Sequence, residues 1–297
     1  MRSRLLILCP GQGGQHAGMY DMARSDPHGA ALLAQLTPLL PELSDPASLF
    51  GNRTAQPAIV ASSLAVWEAL RRDCPPPALV AGYSVGELTA YSVAGALPPE
   101  RTVALAGQRA EFMDACVDPH HPHAMLAISG RRVDTLRHIL AEQGFHIAIE
   151  TGEDTCIAGG PTAYAAAIVL PGARIVPLPV AVASHTPYLR AAVEPFADLL
   201  RHQSFGEMQA PVLGGLDAMP VRDRNDAIDR LSRQLAETIV WSDCMDACAE
   251  RGITAALELG PGGALSKMLS ARHPEIDCRS VADFRSLDGV RRWLERA

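Results

Sequence analysis

An α/β fold built on a mostly parallel sheet is predicted by three features of this chain. Short apolar runs at about 5–9 and 78–81 have the hydrophobicity of strands buried on both faces. Stretches with the apolar period of a helix alternate with them, as helices covering both faces of such a sheet would. The run at 78–81 leads directly into Gly82-Tyr83-Ser84-Val85-Gly86-Glu87 and then into a helical pattern. That order reads as a buried strand, a sharp turn carrying a serine, and a helix.

Taken in order, the strand at 5–9 ends in Pro10-Gly11-Gln12-Gly13-Gly14-Gln15. This is not a dinucleotide fingerprint, because His16 stands where the third glycine belongs. Helices are expected at about 29–40, 57–72, 88–96 and 98–117, the last opened by Pro98-Pro99-Glu100. The texture changes near His123. A strand at 124–128, a helix at 131–143 closed by Gly144, strands at 145–149 and 155–158, a helix at 161–169 and a strand at 173–178 follow. That β-α-β-β-α-β order matches a ferredoxin-like unit. Thr186-Pro187 then reads as an N-cap followed by proline at the first helical position, with the helix reaching about His202. Helices at 225–237, 241–251 and 263–271, strands at 254–259 and 276–280 and a C-terminal helix complete the pattern. The expected organisation is a large α/β domain of residues 1–122 and 184–297, with a ferredoxin-like subdomain inserted at 123–183.

Bulk composition excludes several function classes. The chain has 297 residues and a formal net charge of −7, which argues against nucleic acid as a partner, since phosphate contact needs a basic face. No apolar run is long enough to span a bilayer, and the five-residue stretch 5–9 is too short for a signal peptide. The seven cysteines are scattered without a C-x-x-C pair, the usage of a reduced, cytoplasmic protein. Cys244 and Cys248 share a helix face without a nearby histidine, so core packing is expected and not a metal. His120, His121 and His123 read as a solvated loop, with zinc as the weaker alternative. Lys267, the only lysine, lacks the glycines of a phosphate-binding loop.

The chemistry centres on Ser84. Glycines two residues either side leave room for a strained turn that projects the hydroxyl at a helix N-terminus, where free N–H groups favour a developing negative charge. A nucleophilic serine needs a base. His185, in Val182-Ala183-Ser184-His185-Thr186-Pro187, sits at a strand-to-helix junction, the kind of place where parallel sheets gather their ligands. It could equally be a surface histidine beside a helix cap. Arg109 is the second anomaly. Its helical neighbours are Leu105, Ala106, Phe112 and Met113, so the guanidinium lies on an apolar stripe. A buried guanidinium requires a carboxylate or phosphate, either an internal acid or an acidic substrate. Between Ser84 and His185, Asp114, Asp118, Asp134 and Asp154 fall on helices or in the insertion, so a dyad fits better than a triad.

In this order Pro10–Gln15, Gly82–Glu87, Arg109-Ala110-Glu111-Phe112-Met113, Ser184-His185 and Gly260-Pro261-Gly262 resemble the motifs of malonyl-CoA:acyl carrier protein transacylases over nearly the whole chain. The resemblance implies an α/β-hydrolase-like large domain with a ferredoxin-like insertion. It implies a Ser84–His185 dyad, an oxyanion hole from the backbone N–H groups of Gln12 and Val85, and Arg109 paired with the free carboxylate of a malonyl group. Gln234 matches the position whose main-chain carbonyl holds the histidine ring. Malonyl-CoA and coenzyme A would be substrate and product, an acyl carrier protein the partner, with no metal and no tightly bound cofactor. Within the family, the segments 9–16 and 180–187 look most like the malonyltransferase subunit of malonate decarboxylase, whose acceptor is a phosphoribosyl-dephospho-CoA arm. Tyr83 in place of histidine, Gly14 in place of serine and Glu150-Thr151-Gly152 in place of an asparagine depart from the fatty-acid branch. The alternatives are the transacylase of fatty-acid synthesis, a serine thioesterase or esterase, and a non-catalytic carrier-docking subunit. For an acidic carrier, Arg71-Arg72 and Arg291-Arg292 are the candidate basic patches.

Overall fold

The computed structural model describes residues 4–43 and 48–296. The strands, in chain order, are β1 (Leu5–Cys9), β2 (Leu79–Gly82), β3 (His123–Ser129), β4 (His146–Glu150), β5 (Thr155–Pro161), β6 (Arg174–Leu178), β7 (Val212–Leu213), β8 (Ile239–Val240), β9 (Ala255–Glu258) and β10 (Asp277–Ser280). They form two sheets, ordered β10-β9-β1-β2-β7 and β6-β3-β5-β4-β8. Every pairing in the first sheet is parallel. This is the α/β class that the alternating pattern predicts, with a second sheet of five strands beside the parallel one.

The unbroken apolar run of β1 has its reason in this arrangement. Side chains alternate across a strand. Leu5, Ile7 and Cys9 therefore enter the core formed with the helix Asn52–Leu70, while Leu6 and Leu8 enter the opposite core with Trp241, Met245, Leu265 and Leu269. Both faces are covered, so no position on β1 is left for a polar residue.

In the second sheet β6, β3, β5 and β4 pair antiparallel, the order a β-α-β-β-α-β unit produces when it folds on itself. Leu126, Ile128 and Ile147 pack with Val133, Leu136 and Leu140 of its own helix, Val133–Glu142. On the other face Met125, Ala148 and Ile149 join the core shared with Trp241 and Leu8. The second sheet thus shares a core with the first. It also does not end with the inserted segment, because β8 pairs parallel with β4. The hydrophobic pattern could not reveal β7 and β8: each is two residues long.

Three helix expectations need correction. The helix expected from residue 57 begins at Asn52 and carries Pro57 inside it. The segment 161–169 contains only a single turn, Thr162–Ala165. Thr186 is not the N-cap of a helix reaching His202. Its hydroxyl donates to the Ala183 carbonyl at 2.6 Å, Pro187–Leu189 is a 3₁₀ turn, and the α-helix is Arg190–Arg201. The hydroxyl points back to that carbonyl and accepts no hydrogen bond from the turn that follows, so it does not cap it. No helix among the described residues is long and apolar enough to cross a membrane.

Candidate active site

The serine turn is built as the glycine pattern requires. β2 ends at Gly82, Ser84 has φ 56° and ψ −118°, and the helix Val85–Val93 begins at the next residue. This backbone region is costly for a residue with a side chain, and such strain gathers at functional sites. The turn is also crowded. A Cβ on Gly86 would lie 2.0 Å from the Cys9 carbonyl oxygen, and one on Gly11 would lie 2.6 Å from the Tyr83 carbonyl oxygen. The loop after β1 therefore rests directly on the serine turn, which brings Gln12 to Ser84. Val85 occupies the first helical position, where the backbone N–H has no preceding turn to bond.

His185 meets Ser84 from across the molecule. The Ser84 hydroxyl lies 2.8 Å from His185 Nε2, although the two residues are 101 positions apart. His185 Nδ1 donates to the main-chain carbonyl of Gln234, and the His185 backbone N–H donates to the Leu235 carbonyl at 2.8 Å. A carbonyl only accepts, so the Nδ1 proton is fixed there and Nε2 is left as the acceptor for the serine proton. His185 also has a positive φ of 60°. It is buried, at 1% exposure, and not the surface residue that a cap position allows.

Burial, then the charge of Arg109, pushes the His185 imidazole down to about 3, against a smaller opposing effect of the Gln234 carbonyl. The consequence for stability has a definite sign. The unfolded chain takes up a proton near the ordinary value of 6.5 that the native state refuses until about pH 3. Native stability contributed by neutral His185 is complete above pH 6.5 and falls as the pH drops through that window. Urea midpoints should therefore decline more steeply towards about pH 4 for the native chain than for His185→Gln. Parallel declines would refute this assignment.

Arg109 is on the buried stripe of the helix Pro99–Asp114 and is 2% exposed. Its side-chain partners are all neutral. Nη1 donates to Gln56 Oε1 at 2.7 Å and to Met113 Sδ at 3.2 Å, and Nη2 reaches Ser84 Oγ and Gln234 Oε1, each at 3.4 Å. The long contacts leave Nη2 under-used beside the Ser84 hydroxyl. Desolvation lowers the Arg109 guanidinium to about 10, so it stays charged at neutral pH. The Arg109 cation is thus held among neutral acceptors beside Ser84, with room in its hydrogen-bonding capacity for an anionic group.

The structure thus brings Ser84, His185, Arg109, Gln234, Gln12 and Val85 to one place. Two further residues belong to the cluster and were not singled out from the sequence. Gln56 Nε2 donates to Gln12 Oε1 at 3.4 Å, so Gln56 bridges Arg109 and Gln12. Glu87, one turn beyond Ser84, is 1% exposed and accepts from Gln234 Nε2 at 2.8 Å and from Gly215 N–H at 3.0 Å. Burial pushes the Glu87 carboxyl up to about 7. The signal was the one that exposed Arg109: an ionisable or amide side chain inside an apolar helix face.

Beside the site a cleft of about 720 Å³ runs between the two sheets. Gln12, Tyr83, Ile157, Val176 and Leu265 line it, and Arg174 and Lys267 supply positive charge. The other sequence candidates do not join the site. Among the described residues no group of histidine, cysteine and carboxylate side chains could hold a metal, and all seven cysteines are free thiols. His123 is on β3 against Tyr188, with ring centroids 4.9 Å apart. The suggested basic patches are largely neutralised: Arg71 and Arg72 pair with Glu68, and Arg291 pairs with Asp26, Asp73 and Asp288.

A strained serine, a histidine held by a carbonyl and a buried arginine on this two-sheet fold define an acyl transferase. Residues 7–210 match the family profile described as acyl transferase domain, so the chain belongs to that family. It is 30% identical to the malonyl CoA-acyl carrier protein transacylase of Mycobacterium tuberculosis (strain ATCC 25618 / H37Rv), over 96% of this chain and 98% of that protein. The crystal structure of malonyl-CoA:acyl carrier protein transacylase from Xanthomonas oryzae pv. oryzae superposes with a TM-score of 0.90 at 28% identity, covering 98% of each chain. A malonyl-transacylase solved in complex with its type II PKS acyl-carrier protein also reaches 0.90, at 25% identity over 99% of this chain and 100% of that one.

Proposed function

We propose that this protein transfers a malonyl group from malonyl-CoA to the thiol of an acyl carrier protein through a malonyl-Ser84 ester. The observation that carries the reading is Arg109, a buried cation within 3.4 Å of the serine hydroxyl and without an acidic hydrogen-bond partner. In the first half-reaction Ser84 Oγ attacks the thioester carbonyl and its proton passes to His185 Nε2. The backbone N–H groups of Gln12 and Val85 bind the resulting oxyanion. The C–S bond breaks, and the coenzyme A sulfur takes the proton from Nε2. In the second half the carrier thiol gives its proton to Nε2 and attacks the ester, and Ser84 Oγ leaves and is reprotonated. The cleft between the sheets suits the pantetheine arm, apolar along its length and with Arg174 and Lys267 for the phosphates. Hydrolysis in place of transfer is disfavoured by the buried Arg109 and the missing third acid, and by the names of the relatives, which are transacylases. A purely docking role leaves the assembled serine and histidine without a purpose.

The relatives' names support an acyl carrier protein as acceptor, as in fatty-acid or polyketide synthesis, over the malonate decarboxylase carrier. The decarboxylase reading keeps one observation in its favour, the wording of segments 9–16 and 180–187. Both carriers offer the same thiol, so discrimination rests on the arm's nucleotide extension or on the carrier surface. Transfer from malonyl-CoA to each carrier, compared by kcat/KM, is expected to favour the phosphopantetheine carrier. A preference for the phosphoribosyl-dephospho-CoA carrier would reassign the acceptor and leave the serine chemistry intact. The scattered free cysteines fit a cytoplasmic setting.

A further inference from the structure

Glu87 is a buried acid that the transfer chemistry does not use, and its contacts run straight into the catalytic cluster. Glu87 Oε2 accepts from Gly215 N–H and Gln234 Nε2, and Oε1 is buried without a hydrogen-bond partner. A carboxylate only accepts, so it dictates which end of the Gln234 amide faces it. The nitrogen turns towards Glu87, and the oxygen therefore turns towards Arg109 Nη2. Arg109 only donates, and it dictates the Gln56 amide in the same way: the oxygen faces Arg109 and the nitrogen faces Gln12. An oriented chain thus runs from Glu87 through Gln234, Arg109 and Gln56 to Gln12. Gln234 is its branch point, because its main-chain carbonyl takes the His185 Nδ1 proton.

We propose that Glu87 is a positioning residue of the transfer: by holding the Gln234 side chain it fixes both the carbonyl that orients His185 and the amide oxygen that shares Arg109 with Ser84. Without that hold, Gln234 can turn its –NH₂ towards Arg109, a donor facing a donor. Arg109 Nη2 then has Ser84 Oγ as its remaining acceptor, which ties up the nucleophile and withdraws the cation from the acyl carboxylate. Gly215 and Gln234 come from different segments, so Glu87 also joins the serine helix to the segment behind the histidine.

The proposal rests on the malonyl-transfer reading, and the test separates the two. Acylation of the full chain is followed with malonyl-CoA and with acetyl-CoA, and rates are divided by the number of serines that can be acylated, so that loss of folded protein drops out. Glu87→Ala is expected to lower the malonyl rate per active serine by roughly tenfold and the malonyl-over-acetyl preference by about threefold or more. Glu87→Gln keeps an oxygen that can accept both N–H groups and should restore the rate to within about threefold of the native chain. An equal loss for both acyl groups, or a Glu87→Ala rate within about twofold of native, overturns the proposal. Should Glu87→Ala not fold, Gln234→Leu removes the same link while keeping the main-chain carbonyl. It should show the same loss of preference, and an unchanged preference overturns the proposal. A native chain that acquires no malonyl on Ser84 sinks the transfer reading itself, whereas malonylation with an unmoved preference in the variants sinks the role of Glu87 alone.

Discussion

Incubating the protein with malonyl-CoA should place a single malonyl group on the peptide that carries Ser84. Ser84→Ala should abolish the adduct and lower turnover by roughly 10³-fold or more. The expectation follows from geometry. The hydroxyl is 2.8 Å from His185 Nε2, and the Nδ1 proton is committed to Gln234, so only Nε2 can receive the serine proton. The positive φ of Ser84 holds the hydroxyl clear of its own helix, at the end where backbone N–H groups are free. Alanine removes the nucleophile without changing the turn, so folding is expected to survive and the loss to be chemical. Label on another residue, or an alanine variant with near-native turnover, would rule out the assignment.

The second large effect is expected at Arg109. Arg109→Ala should lose malonyl transfer and gain relative activity with acetyl-CoA. The cost for malonyl is about 2–5 kcal/mol, the range for removing one member of a buried charge pair. Two physical effects bear on the malonyl-over-acetyl ratio. The first is the direct pairing of guanidinium and carboxylate. The second acts on the base: the charge of Arg109 is one of the two causes that depress the His185 imidazole. A malonyl carboxylate seated on Arg109 neutralises that charge and makes His185 a better proton acceptor when the dicarboxylic substrate is bound. An acetyl group cannot do this, so discrimination should appear in kcat as well as in KM. A malonyl-to-acetyl ratio unchanged by the substitution would refute both effects together.

Several features of this molecule can be read from residue order alone, because they depend on local chemistry. β1 announces itself as an apolar run, since both its faces are covered. The serine turn is legible because only glycine tolerates its close approaches. Arg109 is legible because a cation at helical spacing among apolar neighbours has to be buried. Glu87 and Gln56 carry the same signal. Gln56 escaped because it lies in the first turns of a helix whose start had been placed at Pro57, and Glu87 because it sits inside a motif already explained by its serine.

What the tertiary structure alone decided is how these parts meet. β7 and β8 are too short to have a pattern, and they exist only because β2 and β4 offer edges to pair with. His185 could be a surface residue beside a cap until the return from the small sheet buries it and hands its two N–H groups to Gln234 and Leu235. The basic pairs looked available for a partner until Glu68, Asp26 and Asp73 closed on them. Local sequence sets what each residue can donate, accept or bury. Which donor meets which acceptor depends on contacts between residues far apart in the sequence, from 25 positions for Arg109 and Ser84 to 147 for Gln234 and Glu87, and only the packing of the fold brings those together.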